Sequence, residues 1–406
     1  MHIVYLVHSF SWDGRYVGGA GQYVANIANI MVKQGHEVDV IVEASFSDVI
    51  DINGIRVHPV NEVGDFVKGG PLSTRQKVYR NLKRSYWYNK KVKEIHKKNK
   101  IDIVQSANIF GLALLRNRRI PYVVRMSDYP SLWRHFVSIE CDYQDAMRTR
   151  RLDEELSLLA CKRADRVIAP SILLKELLKK RWNKDVTIIE SPVDISCVNG
   201  AVLQEPEIES DKYLVTYGRL SYRKEIHIIA QIIDDFLEKY PDMKYVIIGE
   251  NSKVKHNEKN IAVWDYLKLH VENHSDRLVL MKDISDRKRL FGIIKNAYAC
   301  VLPTRIDNLP NAVLEAMALG KIIVSSTSEY GTSVEQLITD GESGFLAQVD
   351  DEESLLCKID QAMSLSQEKK QTIEQKAKDR VKDLTPEKVY KKMIDIYQEV
   401  IEKHRN

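Results

Sequence analysis

The sequence predicts an α/β protein made of two doubly wound domains, each a parallel sheet with helices on both faces. Two observations carry this prediction. Short apolar, β-branched runs alternate along the chain with segments whose apolar residues recur at helical spacing. The length of 406 residues also exceeds what one hydrophobic core usually supports. We therefore expect two Rossmann-like halves of roughly 200 residues each.

The first half opens with a strand. The run "HIVYLVHS" at residues 2–9 predicts that strand, Gly18–Gly21 predict a flexible loop, and the helical segment after the loop stops at Gly35. Further strands are predicted at "EVDVIVE", "DIVQSA", "YVVRMS" and "RVIAPS". Helical stretches separate them, so we expect buried, parallel strands. We place the first domain at residues 1–192.

The alternating pattern restarts after "ESPVD" (Glu190–Asp194). The polar segment 195–212 contains little that could enter a core, and we interpret it as the interdomain linker. Beyond it, strands are predicted at "YLVTYGRL", "KYVIIGE", "LVLMKD", "AYACVLPT", "KIIVSS" and "GFLAQ". We place the second domain at residues 193–385, and the segment 386–406 has the apolar spacing of a terminal helix.

Composition and charge exclude several classes of protein. The net charge of +4 is too small to point to nucleic acid as the main partner. The five cysteines include no Cys-x-x-Cys pair, which fits a reducing compartment and argues against a disulfide framework or a zinc site. No basic leader precedes the first strand, and no apolar run approaches the roughly 20 residues that span a bilayer. We expect a cytoplasmic protein.

Two cations follow the first strand of the second half. Gly218 ends that strand, and Arg219 and Lys224 lie in the loop beyond it. In doubly wound domains, ligands bind at the carboxyl ends of the strands. An Arg binds phosphate oxygens in a fork and a Lys acts as a point charge, so this pair suits a pyrophosphate. A surface loop with solvated charges is the alternative interpretation.

Two acids lie in "TRIDNLPNAVLEAMALGK", residues 304–321. Asn308 is the predicted N-cap of a helix and Pro310 falls in its first turn. The amides and partial positive charge at such a helix start can hold a diphosphate. Asp307 before the helix and Glu315 inside it could accept hydrogen bonds from the hydroxyls of a sugar and a ribose. An ordinary capped helix explains Asp307 as well, but it explains less easily a Glu315 within the apolar run "AVLEAMAL".

Together these residues resemble glycosyltransferase family 4, the retaining transferases of the GT-B fold. The family carries two acids separated by seven residues and followed by "AMA-x-G", which Asp307, Glu315 and "EAMALG" match. It also carries "GRL…K" at the start of its second domain and a glycine-rich loop after its first strand. These two features match Gly218–Leu220 with Lys224, and Gly18-Gly19. The run "SVEQLITDGESGFLA" adds three further residues in register: Glu335, Gly341 and Gly344.

The resemblance implies a fold and a reaction. The two Rossmann-like domains of a GT-B fold face each other across a cleft, and a sugar passes from a UDP- or GDP-linked donor to a hydroxyl acceptor with retention of configuration. Arg219 and Lys224 would neutralise the departing diphosphate, while Glu315 would hold the ribose and Asp307 the donor sugar. The implied catalytic candidates are Asp307, Arg219, Lys224 and Asp128. The implied donor site comprises Gly18, Gly19, Gly218, Arg219, Lys224, Asn308, Leu309, Pro310 and Glu315.

No metal or cofactor is expected. The chain contains no Asp-x-Asp sequence, with which metal-dependent transferases hold a diphosphate. Fixed cations and a helix terminus can take over that role.

Three departures from the family pattern concern the site. Asp307 stands where Glu is usual and is one methylene shorter, and Glu225 follows Lys224 where Gly is usual. The His that often follows a first-domain strand near the reacting sugar is replaced by Ser127-Asp128. In retaining transfer the departing phosphate can itself take the acceptor proton, so loss of that His need not abolish activity.

The acceptor-side candidates lie in the first domain. They are Ser127, Asp128 and His8, which follows the first strand, with His135 as a further histidine. A lone His at such a position is more often a structural hydrogen-bonding residue than a catalytic one.

The segment Lys77–Lys100 is basic and rich in aromatic residues. It holds ten Lys or Arg against one Glu, with Tyr79, Tyr86, Trp87 and Tyr88 between them. A basic helix with interfacial aromatics can lie on an anionic membrane, which would suit a lipid-linked acceptor. A solvated helix whose aromatics pack on their own domain explains the pattern equally well, so both interpretations stay open. Nucleic acid is not an expected partner, because no recognised binding module accompanies the segment.

The expected role is sugar transfer in surface polysaccharide, lipopolysaccharide or glycoconjugate assembly, in the cytoplasm or at the inner face of its membrane. The substrates would be a nucleotide-sugar donor and a saccharide or lipid-linked saccharide acceptor. Two alternatives stay open: a GT-B nucleotide-sugar epimerase, which needs no acceptor, and a non-catalytic GT-B scaffold subunit. The donor-side set of Arg219, Lys224 and Glu315 argues against the scaffold.

Overall fold

The computed structural model contains two compact units. It describes residues 1–10, 18–61, 72–135, 151–198, 208, 212–256, 259–328 and 333–405. The first unit holds the described residues of 1–135, 151–192 and 386–405, and the second holds those of 193–385. Most of the segment predicted as a linker, including 199–207, lies outside the described residues. Cys141 also lies outside them, and the other four cysteines are free thiols.

The first unit is built on an eight-stranded sheet. Its strands are β1 (His2–Leu6), β2 (Glu37–Glu43), β3 (Ile50–Ile52), β4 (Ile55–Val60), β5 (Ile103–Ala107), β6 (Tyr122–Arg125), β7 (Arg166–Ala169) and β8 (Thr187–Ile188). Their order across the sheet is β3-β4-β2-β1-β5-β6-β7-β8. Every neighbouring pair except β3–β4 is parallel. Strands β1, β5 and β6 are buried along their whole length, as expected of apolar runs in a sheet covered on both faces.

Helices cover this sheet. They include α1 (Gly18–Lys33), α2 (Thr74–Lys98), α3 (Pro130–His135), α4 (Leu152–Arg163) and α5 (Ile172–Trp182). Because α1 begins at Gly18, the flexible loop predicted for Gly18–Gly21 is wrong. Each glycine in a helix costs only about 1 kcal/mol, and burial of Tyr23, Val24 and Ile27 on the same helix outweighs that cost. The predicted stop is confirmed, since the helix ends at Lys33 and Gly35 has a φ of 80°.

Strands β3 and β4 form a hairpin that was not predicted from the sequence. Ile52 pairs with Ile55, and the two residues between them are Asn53 and Gly54, with φ values of 53° and 85°. Both values lie in the left-handed region that a two-residue hairpin turn of this type requires. The signal was therefore present in the sequence, because Asn-Gly is the pair that favours such turns most strongly.

Helix α2 divides its residues between two faces. Ser73 caps its start in a capping box with Gln76. One face packs on the unit through residues that include Tyr88, Val92 and Ile95. Tyr79 and Tyr86 lie on the other face and are 58% and 54% exposed. The helix therefore buries one of its aromatics in the core and leaves two of them in solvent.

The second unit is built on a six-stranded parallel sheet. Its strands are β9 (Tyr213–Tyr217), β10 (Lys244–Ile248), β13 (Leu278–Met281), β14 (Ala299–Val301), β15 (Ile322–Ser326) and β16 (Phe345–Ala347), in the order β13-β10-β9-β14-β15-β16. A separate hairpin pairs β11 (Lys253–His256) with β12 (Lys259–Ala262). Each of the six sheet strands falls within a predicted run, whereas β8 and the β11–β12 hairpin were not predicted.

Helices lie on both faces of the second sheet. They include α6 (Ile226–Lys239), α7 (Val263–Lys268), α8 (Arg287–Asn296), α9 (Asn311–Ala318), α10 (Glu352–Met363) and α11 (Gln367–Val381). Successive residues of β10 enter opposite apolar clusters: Tyr245 and Ile247 pack with α6, and Val246 and Ile248 pack with α8. The predicted α/β class with parallel sheets is confirmed. In the described part of the chain, no helix is both long and apolar enough to cross a lipid bilayer.

Helix α12 (Pro386–Arg405) follows the second unit in sequence and packs in the core of the first. Its Tyr397 hydroxyl donates to Gln105 Oε1 at 2.6 Å and lies 3.3 Å from the hydroxyl of Tyr5. All three residues are buried. The core of the first unit is therefore completed by a segment from the far end of the sequence.

Candidate active site

The loops after the strands of the second sheet lie at one edge, because the carboxyl ends of parallel strands meet there. Gly218 follows β9 with a φ of 108°, a conformation that favours glycine. Gly249 follows β10, and a Cβ at that position would lie 2.3 Å from the Gly218 carbonyl oxygen. Glycine is therefore favoured at 218 by the backbone conformation, and at 249 by the close approach of the two loops.

Lys224 and Asp307 form an ion pair at this edge. Lys224 Nζ donates to Asp307 Oδ2 at 2.6 Å, and Asp307 Oδ1 accepts from the backbone N–H of Leu309 at 3.4 Å. Burial disfavours ionisation of Asp307, but the charges of Lys224 and Arg223 outweigh it and hold the pKa of the carboxyl below its ordinary value. The carboxylate is therefore ionised and paired at neutral pH.

Helix α9 begins at Asn311, three residues later than the predicted N-cap. Asn308 is therefore not the N-cap, and the flanking position is taken by Pro310. Proline has no side-chain acceptor, so it leaves the amides of the first turn uncapped. A helix start of this kind can bind an anion. The error arose because Asn-Leu-Pro suits either a cap or the turn that precedes a helix.

Glu315 lies on α9 and pairs with Arg287 at the start of α8. Arg287 Nη2 donates to Glu315 Oε1 at 2.6 Å. Burial raises the pKa of the Glu315 carboxyl above its ordinary value, and Arg287 opposes that effect. The Arg287 side chain is half exposed and the Glu315 side chain is 17% exposed. The carboxylate is thus largely buried, and its partner lies on the solvent side.

The remaining predicted donor residues differ in exposure. Arg219 is exposed in the loop after β9. Asn308, Leu309 and Pro310 are buried, and Leu309 packs in the apolar cluster beneath the sheet edge. The side chain of Leu309 thus contributes to the core, and what this segment presents at the edge is the Asp307 carboxylate.

The three downstream residues of the family pattern lie in the segment between β15 and β16. Glu335 Oε1 accepts from the backbone N–H of Ser328 at 2.9 Å. Gly341 has a φ of 72° and donates to the Gly344 carbonyl oxygen at 2.8 Å. A Cβ on Gly344 would lie 2.9 Å from the Ile323 carbonyl oxygen. Glu335 therefore holds the loop after β15, and the two glycines shape the turn that leads into β16.

A cavity of about 400 Å³ lies after β13, lined by residues that include Trp264, Lys282, Ile284 and Asp286. Asp286 caps α8 by accepting from the amides of Lys288 and Arg289. Arg287, the partner of Glu315, immediately follows Asp286 in the chain. The cavity and the Glu315 carboxylate are therefore linked through the first turn of α8.

In the first unit, Asn108 holds the backbone of Ser127 and Asp128. Asn108 is fully buried after β5. Its Oδ1 accepts from the Ser127 amide at 2.8 Å, and its Nδ2 donates to the Asp128 carbonyl oxygen at 2.9 Å. Burial raises the pKa of the Asp128 carboxyl to about 6. Asp128 Oδ1 is buried and has no partner among the described residues.

His8 lies after β1 and is partly buried. Its ring contacts Phe110 edge to face at 5.3 Å, and its Nε2 lies 3.2 Å from the Ser9 hydroxyl. Burial and the nearby Arg84 charge lower the pKa of His8 to about 4, so the ring is neutral at pH 7. Phe110 has a φ of 57°, which is unusual for a bulky side chain.

The remaining first-domain candidates are Gly18, Gly19 and His135. Gly18 and Gly19 open α1 and do not form a loop. His135 ends α3, and its side chain lies outside the described residues. The described residues bring together no group of three or more metal-ligating side chains, and metal independence stays a prediction.

Sequence reasoning missed two residues that position the predicted ones. Arg287 pairs with Glu315, and its signal was the basic run "DRKR", which begins three residues after the predicted strand "LVLMKD". Asn108 holds Ser127 and Asp128, and its signal was an Asn directly after the strand "DIVQSA". In both cases the partner lies tens of residues away or on another strand, so only the fold shows the contact.

Two family models match the chain. Residues 202–380 match "Glycosyl transferases group 1" and residues 17–196 match "Glycosyltransferase Family 4". Together they cover most of both units.

Individual proteins and structures are similar along most of the chain. An uncharacterized glycosyltransferase of Haemophilus influenzae is 25% identical over 349 residues, which cover 84% of this chain and 86% of that protein. Sucrose-phosphate synthase from Thermosynechococcus elongatus superimposes with a TM-score of 0.75 at 17% identity, covering 99% and 100% of the two chains. Anabaena Alr3699/HepE, in complex with UDP and glucose, has a TM-score of 0.66 at 16% identity, covering 98% and 100%. These likenesses confirm the predicted fold class.

Proposed function

Because the chain belongs to the GT-B glycosyltransferases of family 4 and group 1, we propose that it transfers a sugar from a nucleoside diphosphate sugar to a hydroxyl acceptor with retention of configuration. The Lys224–Asp307 pair beside the uncapped start of α9 is the observation that carries the proposal. A departing diphosphate develops negative charge, which a cation and free amides placed in advance can stabilise. Arg219, exposed in the same loop as Lys224, adds a second cation without a metal.

Glu315 binds the ribose and the cavity after β13 receives the base. Glu315 Oε2 is the second oxygen of a carboxylate whose Oε1 already accepts from Arg287, so it can accept from a hydroxyl. The Anabaena protein was crystallised with UDP, which supports a UDP-linked donor for this chain, and a GDP-linked donor is the second choice. The acceptor is a saccharide or lipid-linked saccharide, as in surface polysaccharide or glycoconjugate assembly.

A donor screen tests the proposal. Purified protein is incubated with UDP- and GDP-hexoses in EDTA, while thermal stability and donor hydrolysis are followed, with Glu315→Ala alongside. Glu238→Ala is the matched control, because Glu238 is an exposed helical glutamate of the same unit. We expect one donor to stabilise the protein and to be hydrolysed slowly. Glu315→Ala should abolish both effects, and Glu238→Ala should leave both unchanged.

Other outcomes identify the alternatives. Release of an epimerised nucleotide sugar without acceptor would show an epimerase. No response to any nucleotide sugar would overturn the transferase and leave a non-catalytic subunit. Once an acceptor is identified, NMR of the anomeric proton in the product shows whether the anomeric configuration of the sugar is retained or inverted.

The protein works at an anionic membrane surface and contacts it through the exposed face of α2. Seven exposed residues recur every three or four positions along that face: Arg75, Tyr79, Leu82, Tyr86, Lys90, Lys93 and Lys97. Three of them are apolar or aromatic and four are cationic. Trp87 lies beside the stripe, with the Lys90 ammonium 4.2 Å from its ring centroid. Aromatics at the headgroup level and cations toward anionic lipid are the two contacts that hold a helix on a membrane surface.

Vesicle sedimentation tests the membrane contact. We expect the protein to sediment with vesicles containing anionic phosphatidylglycerol and to stay in solution with neutral phosphatidylcholine. Tyr79→Ser with Tyr86→Ser should abolish sedimentation at low salt, while Lys369→Ser with Lys376→Ser on α11 should leave it unchanged. Equal binding by both double variants would show that α2 is not the contact.

A further inference from the structure

Glu225 has an unusual conformation and an unusual environment. It follows Lys224, ends the 3-10 turn Tyr222–Lys224 and precedes α6. Its φ is 47°, in the left-handed region, which explains why the related family pattern has Gly here. Its carboxylate is also 1% exposed. A buried acid in a conformation that favours glycine must gain something from its contacts.

The Glu225 carboxylate joins the loops of two other strands. Oε2 accepts from the hydroxyl of Ser326, the last residue of β15. Oε1 accepts from the backbone N–H of Asp350, in the loop after β16, at 2.6 Å. Ser326 Oγ in turn accepts from the Thr304 amide at 2.8 Å, directly before the segment that carries Asp307. One side chain thus connects the loops after β9, β14, β15 and β16.

A second set of contacts closes the same network. The Arg305 amide donates to the Arg223 carbonyl oxygen at 3.0 Å, and Arg305 Nη2 lies 2.8 Å from Asp350 Oδ2. Arg305 is 7% exposed, whereas the Asp350 side chain is 35% exposed, so the pair is shielded on the Arg305 side. The Lys224 turn is therefore held from both sides, by Glu225 at its end and by the Arg223 carbonyl within it.

We propose that Glu225 is a positioning residue for the nucleotide-sugar reaction: its carboxylate fixes the turn that aims Lys224 at the diphosphate, a role that a glycine cannot provide. This inference rests on the proposed function, because it assumes that Lys224 meets a diphosphate. Burial raises the pKa of Glu225, with the Ser326 and Asp350 donors opposing it, so the carboxylate is held at an energetic cost. The cost is consistent with a role in the site rather than in stability alone.

Three substitutions separate the backbone from the side chain. Glu225→Gly keeps a left-handed backbone and removes the carboxylate. Glu225→Gln keeps the shape and loses the charge: its Oε1 can still accept from Asp350, and its amide can donate to Ser326 Oγ. Ser326 then donates to the Thr304 carbonyl oxygen, which already lies 3.2 Å from its hydroxyl. Glu225→Ala removes the carboxylate contacts, and its Cβ disfavours the left-handed backbone conformation that glycine accepts.

Two readouts are used, affinity for UDP and GDP by calorimetry and acetylation of Lys224 by acetic anhydride, followed by peptide mass spectrometry. We expect Glu225→Gly to weaken nucleoside diphosphate binding by about tenfold and to raise Lys224 acetylation severalfold, because the turn moves away from Asp307. Glu225→Gln should stay within about threefold of the native chain in both readouts. Asn183→Gly controls for release of left-handed strain, since Asn183 is an exposed residue with a φ of 49° in the first unit.

The outcomes separate this inference from the proposed function. If the native chain binds neither UDP nor GDP, the proposed function fails, and acetylation still reports whether Glu225 positions Lys224. If the native chain binds one of them and Glu225→Gly changes neither affinity nor acetylation, the positioning role is overturned. Suppose that Glu225→Gln binds the nucleoside diphosphate as weakly as Glu225→Gly while all variants unfold at similar temperatures. The hydrogen bonds of residue 225 would then not suffice to position Lys224, and the positioning role would fail as stated.

Discussion

The Lys224 ammonium and the Asp307 carboxylate lie 2.6 Å apart and 83 residues apart in sequence, in the loops that follow the neighbouring strands β9 and β14. Both side chains are about four-fifths buried. The cation that would meet a diphosphate is therefore already paired with the acid that would meet the donor sugar. An anion that binds Lys224 has to share it with Asp307, so the two residues should respond differently to substitution.

Asp307→Asn removes the charge that Lys224 is paired with. We expect turnover to fall by about 100-fold because a contact to the donor sugar is lost. Affinity for the nucleoside diphosphate should rise by about threefold, because Lys224 no longer has a competing carboxylate. Steady-state kinetics and calorimetric titration measure the two quantities. Parallel losses of turnover and affinity would show instead that Asp307 acts by holding the loop in place.

Arg287→Ala leaves the buried Glu315 carboxylate without its partner. We expect the free energy of unfolding to fall by about 1–3 kcal/mol at pH 7. A raised pKa means that the contribution of Glu315 to stability is present below its ordinary pKa and is lost as pH rises through the folded value. The cost of Arg287→Ala should therefore shrink near pH 4, where Glu315 is protonated. Urea unfolding at both pH values measures it, and an equal cost at both would exclude the ion pair as its origin.

Asp39 in the first unit collects three cationic or basic partners. Its carboxylate accepts from His2, from Arg56 at 2.8 and 2.9 Å, and from His58 at 2.6 Å, and it is 1% exposed. Burial alone would raise its pKa, but the donors outweigh burial and hold the pKa well below its usual range. The stability that Asp39 contributes is therefore present above its ordinary pKa and is lost as pH falls through the folded value.

Asp39→Ala should cost about 3–5 kcal/mol of unfolding free energy at pH 7, since it leaves buried donors without an acceptor. Glu37→Ala is the matched control, because Glu37 contacts the same Arg56 at 3.2 Å from an exposed position and should cost under about 1 kcal/mol. Urea unfolding of the two variants gives both values. Similar costs would mean that the buried cluster contributes no more than a surface pair.

Asp128→Asn tests the buried carboxylate of the first unit. Its folded pKa of about 6 is raised, so the native chain loses stability as pH rises from about 4 toward 6. The asparagine does not titrate in this range. The free energy of unfolding of the variant, relative to the native chain, should therefore rise with pH, by up to about 3 kcal/mol above pH 7. His8 is present in both proteins, and its opposite pH dependence cancels in the difference. If the difference in the free energy of unfolding between the two proteins did not change with pH, Asp128 would be solvated in the folded chain.

The sequence predicted the six strands of the second sheet well because apolar runs between helical segments leave few alternatives. It failed at Gly18–Gly21, where packing overruled residues that favour a loop, and at Asn308, where the N-cap lies two residues later than predicted. The hairpin at Asn53-Gly54 had a readable local signal that was not used in the prediction.

Contacts between distant residues could not be predicted in the same way. Arg287 and Glu315 are 28 residues apart, and Ser326 lies 101 residues from Glu225. Nothing local in a single chain distinguishes these partners from other charged or hydroxyl residues. They become visible only when the order of strands is known, because that order decides which loops are neighbours.

Helix α12 has a consequence for synthesis on the ribosome. The first unit cannot finish its core until residues 386–405 emerge, and all of 193–385 is translated in between. At ordinary rates of about 5–20 residues per second, this interval is roughly 10–40 s. Throughout it, the residues of α1 and β1 that pack with Met393 and Tyr397 in the finished core lack those partners. Chaperones that bind apolar surface should therefore stay on this chain after the second unit has folded.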